Sequence, residues 1–282
     1  MLEANPGVMY QQTFSDLYAA GVNRLAIGIP SFNDTHLKSL GRVHGSQDAL
    51  SAIDIAQSSG FSNFNIDLMH GLPNQSIANA INDIEIAVSS GASHISWYQL
   101  TIEPNTEFFS RPPILPVDDR LADIQQSGLK IMKKNNYSQY EVSAFARNGQ
   151  KSRHNVNYWQ FGDYLGIGAG AHGKITIPED NQVIRTTKTR QPKDYLNRVG
   201  SPLAKKIEIS KEDIILEFMM NGLRLNNGVP THYLSSRTGL DEKSIKQKVS
   251  KLQSQGLMES SALRYQTTSL GYQFLNTVLQ SF

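Results

Sequence analysis

The stretch FNIDLMHGLPNQSIANAINDIEIAVSSGASHISWYQL, residues 64–100, carries the repeating pattern that decides the fold. Residues 64–69 read as a strand, and His70-Gly71-Leu72-Pro73 is its exit turn. Ile77, Ile81, Ile84 and Val88 follow at spacings of four, three and four, which marks one face of a helix, and Gly91 ends it. Residues 94–100 are the next strand, left through Thr101-Ile-Glu-Pro104-Asn105. The same cycle extends in both directions. Upstream, 14–20 is a short helix closed by Gly21, 23–29 a buried strand, and Asn33 and Asp34 cap a helix through Leu37 and Leu40. Residues 47–58 carry Ala49, Ile53 and Ala56 up to Gly60. Downstream, 118–135 is a helix with Leu121, Ile124, Ile131 and Met132 turned inward, and 140–145 is another strand. Strands alternating with helices imply βαβ units and a parallel sheet, open or closed, with function at the carboxyl ends of the strands. The candidate positions are Pro30 and Ser31, 67–73, 99–105 and the loop into His154. Glu3-Ala-Asn-Pro6-Gly7 is a turn signal with too little before it for a strand, so a strand ending at Glu3 is expected to be cut away.

The 282 residues are enough for one large domain, or a domain and a smaller companion, with a substantial core. The hydrophobic share of 39% and charged share of 18% are those of a globular protein, and the net charge of +2 disfavours a nucleic-acid backbone as the main partner. No apolar run is long enough to span a bilayer, and the first ten residues lack the basic flank and apolar region of a signal peptide. A cytoplasmic location is the expectation. There is no cysteine, which excludes disulfides, thiolate nucleophiles, Cys-ligated zinc and any iron–sulfur cluster held by thiolates of these residues.

Beyond residue 173 the pattern changes. Residues 174–177 and 182–187 are strand-like, 194–199 is a short helix, and the link from Gly200-Ser-Pro202 to Lys206 reads as a boundary between a domain of residues 1–200 and one of 201–282. Ser210 caps a helix with Ile214, Leu216, Phe218 and Met219; further helices are expected at 231–237, 242–255 and 270–279, with a two-stranded wing at 257–267. Three helices and a wing describe a winged-helix module. Lys243, Lys246, Lys248 and Lys251 would lie on its third helix, but ten basic against seven acidic residues from Lys205 onward is a solvated lysine face rather than a nucleic-acid footprint.

Residues 152–173, SRHNVNYWQFGDYLGIGAGAHG, hold two histidines, an aromatic run and a glycine-rich turn. Tyr158, Trp159 and Phe161 read equally well as core aromatics or as walls of a site. Gly168-x-Gly170-x-x-Gly173 follows a strand but leads into Lys174-Ile-Thr-Ile-Pro178, which is not a helix, so close backbone packing is preferred over a dinucleotide loop. His70, His94, His154 and His172 have no zinc-ligand spacing. Asp67 is open to catalytic, ligand-binding or capping roles, and Arg42 to a carboxylate clamp or plain exposure.

Seven blocks together resemble the HemW-type heme chaperones, relatives of the oxygen-independent coproporphyrinogen III oxidases in the radical S-adenosylmethionine superfamily. They are NRLAIGIPSF from Asn23, LGRVH from Leu40, NIDLMHGLP from Asn65, SWYQLTIEPNT from Ser96, YEVSA from Tyr140, RHNVNYW from Arg153 and YLGIGAGAHG from Tyr164. The resemblance spans nearly the whole chain. It implies an α/β fold: a partial (β/α)6 barrel of the radical-SAM type, missing its first strands, then the small winged-helix-like α domain. By position, Glu3 resembles the acidic residue that holds the methionine amino group of S-adenosylmethionine, Arg42 a residue near its carboxylate, and Asp67 a further cofactor contact. His154, with Asn155, Tyr158 and Trp159, matches the family's heme-binding motif, with His154 as the implied ligand of the heme iron.

The chain also departs from the family. The three cysteines that hold the [4Fe–4S] cluster are absent, as is the glycine-rich turn after the second strand. About two βα units, roughly 60 residues, are missing on this reading. Pro30 replaces a glutamine, and Ser152 stands where relatives often have cysteine. The expectation is a truncated heme chaperone-like protein that binds heme and delivers it to acceptor proteins, with no radical activity of its own. The alternatives are an inactive remnant or a sequence whose true start lies upstream, and a winged-helix regulator.

Overall fold

The computed structural model describes residues 1–7 and 11–282, in two compact units, Met1–Lys151 and Ser152–Phe282. The division falls at 151/152, whereas sequence composition places a boundary at 200/201.

The first unit is a six-stranded sheet with helices against one face. Its elements are β1 (Leu2–Ala4), α1 (Gln11–Ala19), β2 (Leu25–Gly28), α2 (Asp34–Ser39), α3 (Ser46–Ser58), β3 (Phe64–His70), α4 (Ile77–Ser89), β4 (His94–Gln99), α5 (Glu107–Ser110), α6 (Asp118–Lys134), β5 (Ser138–Glu141) and β6 (Ala144–Ala146). The strand order is β1-β2-β3-β4-β6-β5, with β1 to β4 mutually parallel and β6 antiparallel to both neighbours. Alternation divides the faces. Leu25, Ile27, Phe64, Ile66, Leu68, Ile95 and Trp97 join the core under α3, α4 and α6, where burying each large side chain contributes about 1.5–3 kcal/mol. Asn65, Asp67, His94 and Ser96 occupy the other face. Gly128 in α6 is a packing requirement, because a Cβ there would collide with the Trp97 ring and Ile84.

Two expectations for this unit need correction. Leu2–Ala4 does form a strand, because its three residues pair in parallel with Leu25, Ala26 and Ile27 of an already formed neighbour. The single strand expected at 140–145 is a hairpin: a two-residue turn at Val142 and Ser143 reverses the chain, and Trp97 N donates to Ser143 O at 2.7 Å.

The second unit comprises α7 (Arg153–Trp159), β7 (His172–Ile177), β8 (Gln182–Lys188), α8 (Pro192–Asn197), β9 (Leu203–Glu208), α9 (Lys211–Gly222), β10 (Val229–Pro230), α10 (His232–Thr238), α11 (Lys243–Ser254), β11 (Arg264–Tyr265), α12 (Ser269–Gln273) and α13 (Leu275–Leu279). β7, β8 and β9 form an antiparallel sheet. The segment expected as a linker at 200–206 therefore supplies part of β9. Ser210 caps α9 as expected, its hydroxyl accepting from Asp213 N at 3.1 Å. The wing is smaller than expected: Arg264 and Tyr265 pair with Pro230 and Val229, and Met258 bridges Thr267. The last helix breaks in two at Phe274.

The glycine run is close-packed, as the sequence suggests. A Cβ on Gly166 would strike His172 O, and one on Gly173 would lie 2.6 Å from Thr186 Oγ1. Strand β7, not a helix, follows it. Beside it, the fully buried ammonium of Lys174 donates to Asp163 Oδ1 at 2.7 Å, Phe161 O at 3.0 Å and Thr176 Oγ1 at 3.1 Å.

Candidate functional sites

Parallel pairing brings the carboxyl ends of β1 to β4 to one edge of the first unit. The register sets Glu3 beside Ala26, Ala26 beside Asn65 and Asn65 beside His94; one step along, Gly28, Asp67 and Ser96 are neighbours. Glu3 and Asp67 thus share the polar face, and they are close enough for Glu3 to repel the Asp67 carboxylate. Burial is the main force raising the Asp67 pKa; hydrogen bonds from Ser96 and Asn65 and the charge of Arg24 offset part of it. Arg42 is exposed, in the loop between α2 and α3. Burial raises the Tyr98 pKa, with the charge of Asp67 adding to the rise and that of Arg42 opposing it. Of the three residues assigned by resemblance to S-adenosylmethionine, Glu3 and Asp67 share one face of the sheet, and Arg42 lines the same cleft as Met69 and Leu100 at the ends of β3 and β4. Two carboxylates and a guanidinium suit the ammonium and carboxylate of an amino-acid group.

Asp67 is held by a buried relay that sequence reading did not find. Asn65 Nδ2 donates to Asp67 Oδ1 at 2.7 Å, which turns Asn65 Oδ1 toward Ser96 N at 3.0 Å and His94 Nδ1 at 2.6 Å. The far nitrogen of His94 meets Tyr140 OH at 2.9 Å. Since Asn65 Oδ1 only accepts, Nδ1 of His94 carries the proton, and in the neutral imidazole Nε2 accepts from Tyr140. Strand alternation at Asn65-x-Asp67 puts both side chains on one face and is the available sequence signal; the arrival of His94 and Tyr140 from other strands has none.

Behind this edge, the turn after β2 is fixed from inside. Asp83 on α4, fully buried, accepts from Phe32 N and from Ser31 Oγ, both at 2.7 Å. Pro30 lacks an N–H but uses its carbonyl, which accepts from Met69 N at 2.9 Å.

In the second unit, α7 presents His154 and Tyr158 one turn apart on the same face. Their rings meet edge to face, 5.9 Å between centroids, and Tyr158 in turn meets Tyr164 at 4.6 Å. His154 is half-buried, and Tyr158 is 36% exposed. His154 Nδ1 lies 2.9 Å from the hydroxyl of Ser152, itself buried. Asn155 and Trp159 occupy the neighbouring face of the helix. The Trp159 ring is covered by the Arg224 guanidinium, 4.3 Å from its centroid. The structure therefore groups His154, Tyr158 and Tyr164, with Trp159 packed separately against Arg224.

This α/β sheet and its C-terminal module define a radical-SAM-type architecture. Residues 1–85 match the Radical SAM superfamily, and residues 209–274 match the HemN C-terminal domain. The solved structure of Escherichia coli coproporphyrinogen III oxidase HemN, described as a radical SAM enzyme, superposes with a TM-score of 0.78 over 99% of this chain and 68% of that one; at 19% identity the likeness is one of fold. The chain is 46% identical over 281 residues to the heme chaperone HemW of Escherichia coli K12, covering 100% of this chain and 74% of that protein. It is 45% identical to the heme chaperone HemW of Haemophilus influenzae, covering 100% and 73%. The chain belongs to the HemW family of heme chaperones. No described helix is long and apolar enough to cross a membrane.

Proposed function

We propose that this protein binds heme as cargo on α7, with Nε2 of His154 as the iron ligand and Tyr158 and Tyr164 as the aromatic wall, and passes it to acceptor proteins in the cytoplasm. The observation that carries the proposal is the local geometry of His154. Its Nδ1 lies against the Ser152 hydroxyl and its ring is set edge-on to the partly exposed Tyr158, an arrangement that suits coordination through Nε2. A neutral imidazole is a good axial ligand to heme iron, and aromatic faces give a porphyrin apolar contact. Trp159 braces the helix from its adjoining face through Arg224, and Asn155 lies on that face beside it.

Glu3, Arg42 and Asp67 fit a second role in the same protein, holding the amino-acid end of S-adenosylmethionine at the strand edge, with Asn65 and His94 keeping Asp67 in place. A [4Fe–4S] cluster finds no thiolate among these 282 residues, so no radical step is assigned to them.

Hemin titration followed at the Soret band tests the proposal. The wild type is expected to saturate with a shifted band, and His154→Ala to bind more weakly with the spectrum of a different coordination state. Superimposable spectra and affinities would rule out His154 as the ligand.

A further inference from the structure

The start of α7 departs from the usual chemistry of a helix end. Ser152 occupies the N-cap position with an extended backbone, φ −72° and ψ 104°, where a serine hydroxyl ordinarily accepts from an N–H of the first turn. No such side-chain cap forms here, and the hydroxyl lies 2.9 Å from Nδ1 of His154. Ser152 is only 3% exposed, so this contact is desolvated. The imidazole also meets the Tyr158 ring edge to face, with an interplanar angle of 85°. Ser152 at the N-cap and Tyr158 on the helix thus both bear on the placement of the His154 ring.

We propose that Ser152 is a positioning residue for the heme site: its oxygen accepts the Nδ1 proton of His154, which selects the tautomer whose lone pair is on Nε2 and strengthens that nitrogen as a donor to iron. The inference rests on the reading of His154 as the heme ligand. Its physical basis is general. A metal-bound imidazole is oriented and made more basic by whatever accepts its second N–H, and the loss of that acceptor lowers metal affinity by about 10- to 100-fold. A serine hydroxyl is a neutral and modest acceptor, so the lower end of that range, about tenfold, is expected. A stronger donor nitrogen also favours ferric over ferrous iron, so removing the acceptor raises the reduction potential of the bound heme.

The test uses the full chain and hemin, with Ser152→Ala, Ser152→Cys, Ser152→Thr, His154→Ala and the double variant Ser152→Ala/His154→Ala. Affinity and reduction potential are measured, the latter at saturating hemin so that only folded, loaded protein is read. The expected order of affinity is Ser and Thr above Cys above Ala, with the potential rising along the same series, because thiol sulfur is a weak acceptor and methyl is none. In the His154→Ala background, adding Ser152→Ala should change neither quantity. If Ser152→Ala matches the wild type in both while His154→Ala loses affinity, the positioning role is overturned and the ligand assignment stands. If His154→Ala itself matches the wild type, the heme-ligand reading fails and this inference goes with it. A Ser152→Ala effect that persists in the His154→Ala background would show that Ser152 acts through the helix rather than through the imidazole, which also overturns the proposal.

Discussion

Asp83 offers the clearest test of how the first unit is held together, because burial gives it a pH dependence of definite sign. The carboxylate is fully buried on α4 and takes two 2.7 Å hydrogen bonds, from Ser31 Oγ and Phe32 N, that fix the turn leaving β2. Burial pushes its pKa from 3.8 up to about 6, outweighing the opposing pull of those two bonds. A folded-state pKa above the unfolded one means that the native protein binds more protons between those values. The stability this group contributes is therefore fully present below about pH 4 and is lost as pH rises through about 6. Two pK units correspond to about 3 kcal/mol. Asp83→Asn does not titrate, so urea unfolding of both proteins at pH 4, 5, 6 and 7 isolates the effect from every other group. The wild type should lose most of this, about 2 kcal/mol, relative to the Asn variant across that series. Difference curves flat to within about 0.5 kcal/mol would refute the reasoning. At pH 7, Asp83→Ala should cost about 2–6 kcal/mol, because it strands a buried N–H and a buried hydroxyl at about 1–3 kcal/mol each.

The remaining predictions address the two cores and the aromatic wall. Gly128→Ala pushes a methyl into the Trp97 ring and should destabilise the protein by about 1–3 kcal/mol, read by denaturant unfolding together with the near-UV signal of Trp97. Asp163→Ala leaves the buried Lys174 ammonium without its counter-ion and should cost about 3–5 kcal/mol, whereas Asp163→Ala with Lys174→Met should recover most of the loss in the same unfolding assay. Tyr164→Ala removes the ring that backs Tyr158 and should weaken hemin binding severalfold without changing the iron coordination spectrum.

How far these features could be read in the sequence depends on how local their causes are. The spacing of Ile77, Ile81, Ile84 and Val88 and the stop at Gly91 describe α4 well, since side-chain period and a left-handed terminal glycine act within a few residues. The hairpin of β5 and β6 was not legible, because Val142 and Ser143 carry no glycine or proline signal and the reversal is tied down by Trp97 from a distant strand. β1 and β9 escaped for a related reason: three residues beginning at Leu2, and a lysine-rich run after Pro202, become strands only when a partner strand supplies the ladder. At the candidate sites, His154 and Tyr158 were visible as residues, but the helix that places them on one face was not marked by a strong cap or an apolar stripe. Ser152 could be seen only as a substitution, whereas its contact with Nδ1 is a matter of geometry. The Asn65, His94 and Tyr140 relay is assembled from three strands and has no sequence-local signature.

The central claim, that iron is held by Nε2 of His154, is tested most directly by resonance Raman spectroscopy of the ferrous heme complex. The account predicts an iron–histidine stretching band in the wild type, its loss in His154→Ala, and its replacement by an iron–imidazole band when free imidazole is added to that variant. An unchanged iron–histidine band in His154→Ala would place the iron on another histidine and contradict the account.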